Sequence, residues 1–170
     1  VESLVCDEGL TNVDGVCQLC REGLTEIDGK CIYLCEEGDT DCYYQGDLNV
    51  LQDIIDVNES LNGNPLELGS QYWNNGRLDT LDLYYDQIST IPESIGNLDY
   101  VTFLNLSVNQ LTSLPESIGN LSSLEKLDLS VNQLTSLPES IGNLSSLERL
   151  ILGDLVYGGN PLTSLPESIG

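Results

Sequence analysis

The feature that most constrains this chain is a pattern that returns every 23 residues over its second half. Leu78-x-x-Leu81-x-Leu83-x-x-Asp86-x-Ile88 is followed by Val101-x-x-Leu104-x-Leu106-x-x-Asn109-x-Leu111. Leu124-x-x-Leu127-x-Leu129-x-x-Asn132-x-Leu134 and Leu147-x-x-Leu150-x-Leu152 complete the series, the last reaching Asn160-x-Leu162 after an insertion. The copies start at 78, 101, 124 and 147, each 23 apart. The alternation in Leu127-x-Leu129 predicts a short strand with both leucines on one inward face. Pro115, Pro138 and Pro166 cannot sit inside a helix, so the return leg is extended or loosely turned. Leu114, Ile118, Leu121 and Leu124 then point inward from that leg. One such coil cannot cover its own apolar stripe, whereas stacked coils bury a continuous core. Asn109, Asn132 and Asn160 are expected to stack and to satisfy backbone groups that the turning chain leaves unpaired. Asp86 holds that place in the first coil, so the ladder should start imperfectly.

The pattern resembles the leucine-rich repeat family, whose signature is L-x-x-L-x-L-x-x-N-x-L at a period of roughly 20–29 residues. The resemblance implies an α/β solenoid, a curved array with short parallel strands on its concave face, over residues 78–170. It also implies that the variable strand positions project from that face and bind partners. By this carry-over the exposed columns are Thr80, Phe103, Lys126 and Arg149, then Asp82, Asn105, Asp128 and Ile151, then Tyr84, Ser107 and Ser130. Tyr84, Tyr85 and Phe103 are expected to form the aromatic cluster of that face, and because aromatic and arginine side chains are enriched at binding hot spots, Tyr84, Phe103 and Arg149 are the first candidates. The fourth coil carries an insertion, Gly153 to Gly159, whose Asp154, Leu155, Val156 and Tyr157 form a candidate contact loop.

Residues 1–42 hold all six cysteines and a second, shorter repeat. Cys6-Asp-Glu-Gly-Leu-Thr-Asn-Val-Asp-Gly-Val-Cys17 is matched by Cys20-Arg-Glu-Gly-Leu-Thr-Glu-Ile-Asp-Gly-Lys-Cys31. Asp14-Gly15 and Asp28-Gly29 predict two-residue hairpin turns, since such turns need positive φ. Units this small need cross-links, so a disulfide-rich β-hairpin module is expected. Pairing Cys6 with Cys17 and Cys20 with Cys31 would leave Cys35 for Cys42, one of 15 connectivities among six cysteines. A four-thiolate zinc site is the competing reading of Cys17, Cys20, Cys31 and Cys35. Disulfides suit the hairpin duplication better and imply an extracellular or cell-surface location.

Residues 43–77 join the two parts. Leu48, Leu51, Ile54, Ile55 and Val57 predict an amphipathic helix from Asp47, as N-cap, to about Leu61. With the Trp73 segment this is similar to the N-terminal cap of plant-type extracellular leucine-rich repeat proteins, without the cysteine pair those caps usually carry. The acidic stretch from Asp41 to Asp53 invites a calcium-loop reading, but Tyr43 and Gln45 occupy ligand positions, and a solvated segment is preferred.

Five basic against 28 acidic residues give a net charge of −23, which argues against nucleic acid as partner. No apolar run approaches the roughly 18 residues that span a bilayer. With no histidine, nucleophile elbow or phosphate loop, no catalytic residue or cofactor is expected. Asn58, Asn105, Asn120 and Asn143 head glycosylation sequons, and a glycan on Asn105 would obstruct the concave face. The sequence stops at Gly170 inside a return leg, which suggests more repeats or an end covered by another surface. The expected function is a secreted, non-enzymatic scaffold that binds a protein or glycan. The alternative is a structural protomer stacking head-to-tail into extracellular filaments.

Overall fold

A computed structural model of the chain describes residues 43–154 and 158–169, together with four short strands before them. Those strands are β1 (Thr11–Val13), β2 (Val16–Gln18), β3 (Leu24–Ile27) and β4 (Lys30–Tyr33). They pair antiparallel, Val13 opposite Val16 and Ile27 opposite Lys30, and the Asp-Gly turns expected between them lie outside the described residues. Cys17 lies opposite Asn12 and Cys31 opposite Glu26 in these ladders. Cys6, Cys20, Cys35 and Cys42 lie outside the described residues.

The helix α1 runs from Gln45 to Asp56, two residues earlier at its start and five shorter at its end than the periodicity suggests. The physical reason lies in two side chains. Asp47 does not cap the helix; it sits in the first turn, 1% exposed, and its carboxylate binds Arg77 instead. At the other end Asn58 Nδ2 donates to the Ile54 carbonyl at 2.7 Å, turning the chain away from the helix axis. Because residues 45–56 are helical, Gln45 to Asp53 do not form the ligand loop that the calcium reading needs. The apolar face of α1, Val50, Leu51, Ile54 and Ile55, joins the core of the coils.

A single sheet of five strands follows, β5 (Ser70–Asn74), β6 (Arg77–Asp82), β7 (Phe103–Asn105), β8 (Lys126–Asp128) and β9 (Arg149–Ile151), in that order. β5 and β6 form an antiparallel pair; β6 to β9 run parallel with one coil between neighbours. Leu81, Leu104, Leu127 and Leu150 lie in register across these strands. The hydrophobic period therefore sets the sheet register, since a one-residue slip would turn every leucine to solvent. Each return leg carries one 3-10 turn, at Glu93–Asn97, Glu116–Asn120, Glu139–Asn143 and Glu167–Ile169. In the first three turns proline is the N-cap (Pro92, Pro115, Pro138), where its missing N–H costs nothing. β10 (Gly153–Asp154) and β11 (Gly158–Gly159) pair antiparallel, so the insertion in the fourth coil is a small hairpin. The side chains of Asp154 to Tyr157, its expected contact tip, lie outside the described residues.

The asparagine ladder forms as expected. Asn132 Nδ2 donates to the carbonyls of Leu106, Leu129 and Ser130, and its Oδ1 accepts from Leu111 N at 3.0 Å. Asn109 does the same one coil earlier, and Asn160 spans Leu129, Leu152 and Leu134. At the first coil the rung is supplied from outside the repeat. Asn58, 2% exposed, donates to Ile54 and Thr90 carbonyls and accepts from Ser89 and Thr90 N–H.

The candidate interaction face

The sheet has one buried face and one open face, and period two decides which side chains stand on the latter. Thr80, Phe103, Lys126 and Arg149 fall in one row by register, and Asp82, Asn105, Asp128 and Ile151 in the next. Both rows are those expected from the sequence. β5 extends them: Tyr72 lies opposite Thr80 and Ser70 opposite Asp82. Tyr72 is 60% exposed, yet sequence reasoning left it out. The signal was present, because Trp73 faces the core and its neighbour must then face outward. Trp73 itself is packing, half-buried, with its ring edge against Tyr43 at 4.9 Å and its Nε1 donating to Gln71.

The three aromatics named at the outset do not form one cluster. Tyr84 and Tyr85, 56% and 68% exposed, have ring centroids 6.2 Å apart. Phe103 instead carries Lys126 Nζ over its ring, 4.5 Å from the centroid. Tyr85 has φ 63, and Val108 (φ 56) and Val131 (φ 53) share its place in the next two coils, so the bends after β6, β7 and β8 are left-handed. Ser107 and Ser130 are buried rather than exposed, their hydroxyls donating to Asn105 and Asp128.

A cleft of about 430 Å³ opens at the N-terminal end of this face, lined by Glu67, Gly69, Ser70, Asp82, Tyr84 and Asp86. Asp82 Oδ1 accepts from Tyr84 N and from Asn105 Nδ2. Asp86 Oδ2 is buried with no hydrogen-bond partner. Desolvation, and secondarily the charge of Asp82, push the Asp86 carboxyl above the usual carboxylate range.

One further constellation escaped the sequence. Arg77 Nε and Nη2 donate to both oxygens of Asp47 at 2.9 and 3.0 Å, and Asp47 also accepts from Leu78 N. The guanidinium lies between the rings of Tyr44 and Tyr100, 4.2 and 4.0 Å from their centroids. Burial lowers the Arg77 pKa, but the Asp47 hydrogen bond and charge, together with Asp99 and Tyr100, outweigh it, so the net shift is upward. This clamp ties α1 to the first coil and takes one cation out of circulation.

Geometry also sorts the sequons. Asn58 is buried with its Nδ2 donating to two carbonyls, so it cannot carry a glycan in the folded protein. Asn105 Nδ2 donates to Asp82 at 2.9 Å within the open face. Asn120 and Asn143 are exposed on the return side.

Comparisons with known proteins follow this geometry. The family profile described as "Leucine-rich repeat region" matches residues 67–167, more than half of the chain. No curated protein sequence matches. A solved leucine-rich repeat protein of Leptospira interrogans is 29% identical, with a TM-score of 0.46, over 71% of this chain and 36% of that one. The BIR3–SERK2 complex of Arabidopsis thaliana is 28% identical, with a TM-score of 0.42, over 61% of this chain and 69% of the other. This chain thus spans about a third of the Leptospira protein. Among the described residues no helix is long and apolar enough to cross a membrane.

Proposed function

This chain belongs to the leucine-rich repeat family, and from that premise we propose that it is a non-enzymatic scaffold whose open strand face binds a partner protein. Leucine-rich repeat proteins generally mediate protein interaction. The observation that carries the reading is the row Tyr72, Thr80, Phe103, Lys126 and Arg149, set side by side by strand register. Rigid backbone presents aromatic and cationic side chains there without an ordering cost, which is where hot spots arise. Panning a random library of displayed peptides on the protein tests the reading. Peptides that lose binding to a folded Tyr72→Ala/Phe103→Ala variant support it; peptides that bind the variant equally well remove the strand face from consideration.

The location is part of the same reading. Two Asp-Gly hairpins with six cysteines in the N-terminal 42 residues favour a disulfide-stapled module in an oxidising, extracellular setting. Titration of the unreduced, denatured protein should then find no free thiol, whereas reactive thiols would point to a reducing compartment or a metal. If the protein is glycosylated, Asn120 and Asn143 are the positions the fold leaves accessible, on the side away from the binding row.

A further inference from the structure

We propose that the strand face takes an extended, acidic segment of its partner, with carboxylates seated over Lys126 and Arg149. The proposal rests on the strand face being the binding face and names the chemistry that face selects. Beyond the cysteine-rich segment the sequence holds three basic residues, Arg77, Lys126 and Arg149, in a chain of net charge −23. Asp47 claims Arg77 through both of its oxygens. The other two lie in register on neighbouring strands, Lys126 beside Arg149, and neither is ion-paired with a carboxylate among the described residues. Asp128, in the neighbouring row, has its Oδ1 occupied by the backbone and hydroxyl of Ser130 at 3.0 and 2.7 Å.

Spacing fits the occupant. Adjacent strands lie about 4.8 Å apart, and alternate side chains of an extended segment about 6.7 Å apart, a difference that long lysine and arginine side chains absorb. A segment crossing the strands places alternate carboxylates over the two cations, the guanidinium taking one bidentately. Continuing across, its next outward side chain meets Phe103. Asp82, on β6, stands toward the other end of the face and repels carboxylates. The acidic residues therefore seat over Lys126 and Arg149, in the one row of the face that holds no carboxylate of its own. A polyanion such as a sulfated glycan would run past the cationic pair onto the carboxylates of Asp128 and Asp82 in the neighbouring row, which decides against it. A short segment with one or two carboxylates feels mainly the local pair, because distant charges are screened beyond roughly 8 Å at physiological salt.

The test is a second round of panning with Lys126→Glu/Arg149→Glu beside the wild type; Lys126→Gln/Arg149→Gln replaces it if the reversed protein does not fold. Wild type should enrich peptides with alternate Asp or Glu near an aromatic residue, and the charge-reversed protein should enrich Lys or Arg instead. Replacing those acids by Asn or Gln in a winning peptide should weaken it about tenfold or more. Peptides that need Tyr72 and Phe103 but show no acidic enrichment would overturn this proposal and leave the binding face standing. Peptides indifferent to both variants would remove the face and the proposal together. A sulfated heparin fragment that binds wild type more tightly than the best peptides, and loses binding on charge reversal, would replace the peptide as occupant.

Discussion

Asn132 shows what a single residue does in this fold. Its amide serves three carbonyls from two coils while its oxygen takes the Leu111 N–H, all of it buried. Replacing it by alanine strands those groups without water, at a cost of about 3 kcal/mol. Chemical denaturation of Asn132→Ala measures that loss; a cost under about 1 kcal/mol would mean water replaces the amide. Asp86 occupies the corresponding place in the first coil but has no amide N–H, and when ionised no O–H either, to offer the carbonyls there. Its folded pKa is raised, so its contribution is fully present below the unfolded pKa and is lost as pH rises through the folded one. Asp86→Asn should therefore melt close to wild type at about pH 3 and above it at about pH 7. Thermal scans at both values check this, and an equal difference at both would remove titration as the cause. The asparagine column was legible because it repeats with the period. The Asp47–Arg77 clamp was not: its partners stand 30 positions apart and occur once, so no pattern announces them.

At the scale of elements, the return legs depend on close approach. Gly119 lies against the Ser140 backbone and side chain of the next coil, so an added Cβ would overlap the Ser140 carbonyl oxygen. Gly96 against Ser117 and Gly142 against Ser168 repeat the arrangement. Overpacking of this kind costs about 1–3 kcal/mol, so Gly119→Ala should lower stability by that amount in a denaturant titration. An unchanged midpoint would mean that the coils can slide apart. The prolines made it legible that these legs are not long helices. They did not specify a 3-10 turn, which rests on i→i+3 bonds such as Ile118 N to the Pro115 carbonyl. The strand register followed from the leucines alone. The helix start did not, because a buried ion pair and not a cap decides what Asp47 does. Tyr72 was missed because β5 precedes the first repeat and lies outside its numbering.

Over the whole molecule, one sign of charge dominates. A net charge of −23 on an elongated stack repels itself, and salt screens that repulsion. Raising sodium chloride from about 20 to about 200 mM should raise the melting temperature, and a fall would mean that ion pairs such as Asp47–Arg77 outweigh the net repulsion. Against this background the cationic pair on β8 and β9 stands out, with the carboxylates of Asp82 and Asp86 at the opposite end of the face. The columns themselves could be read from the repeat. Their polarity emerged only from the Asp47–Arg77 pair, which leaves Lys126 and Arg149 as the coils' cations without a carboxylate partner among the described residues.

Site-specific photocrosslinking tests the central claim most directly. A benzoylphenylalanine at position 103, on the strand face, is compared with one at Glu116, on the exposed return side. With peptides selected from the random library, the account predicts adducts at position 103 and none at position 116. Adducts at 116 alone would show that partners bind the return side and that the strand face is not the binding surface.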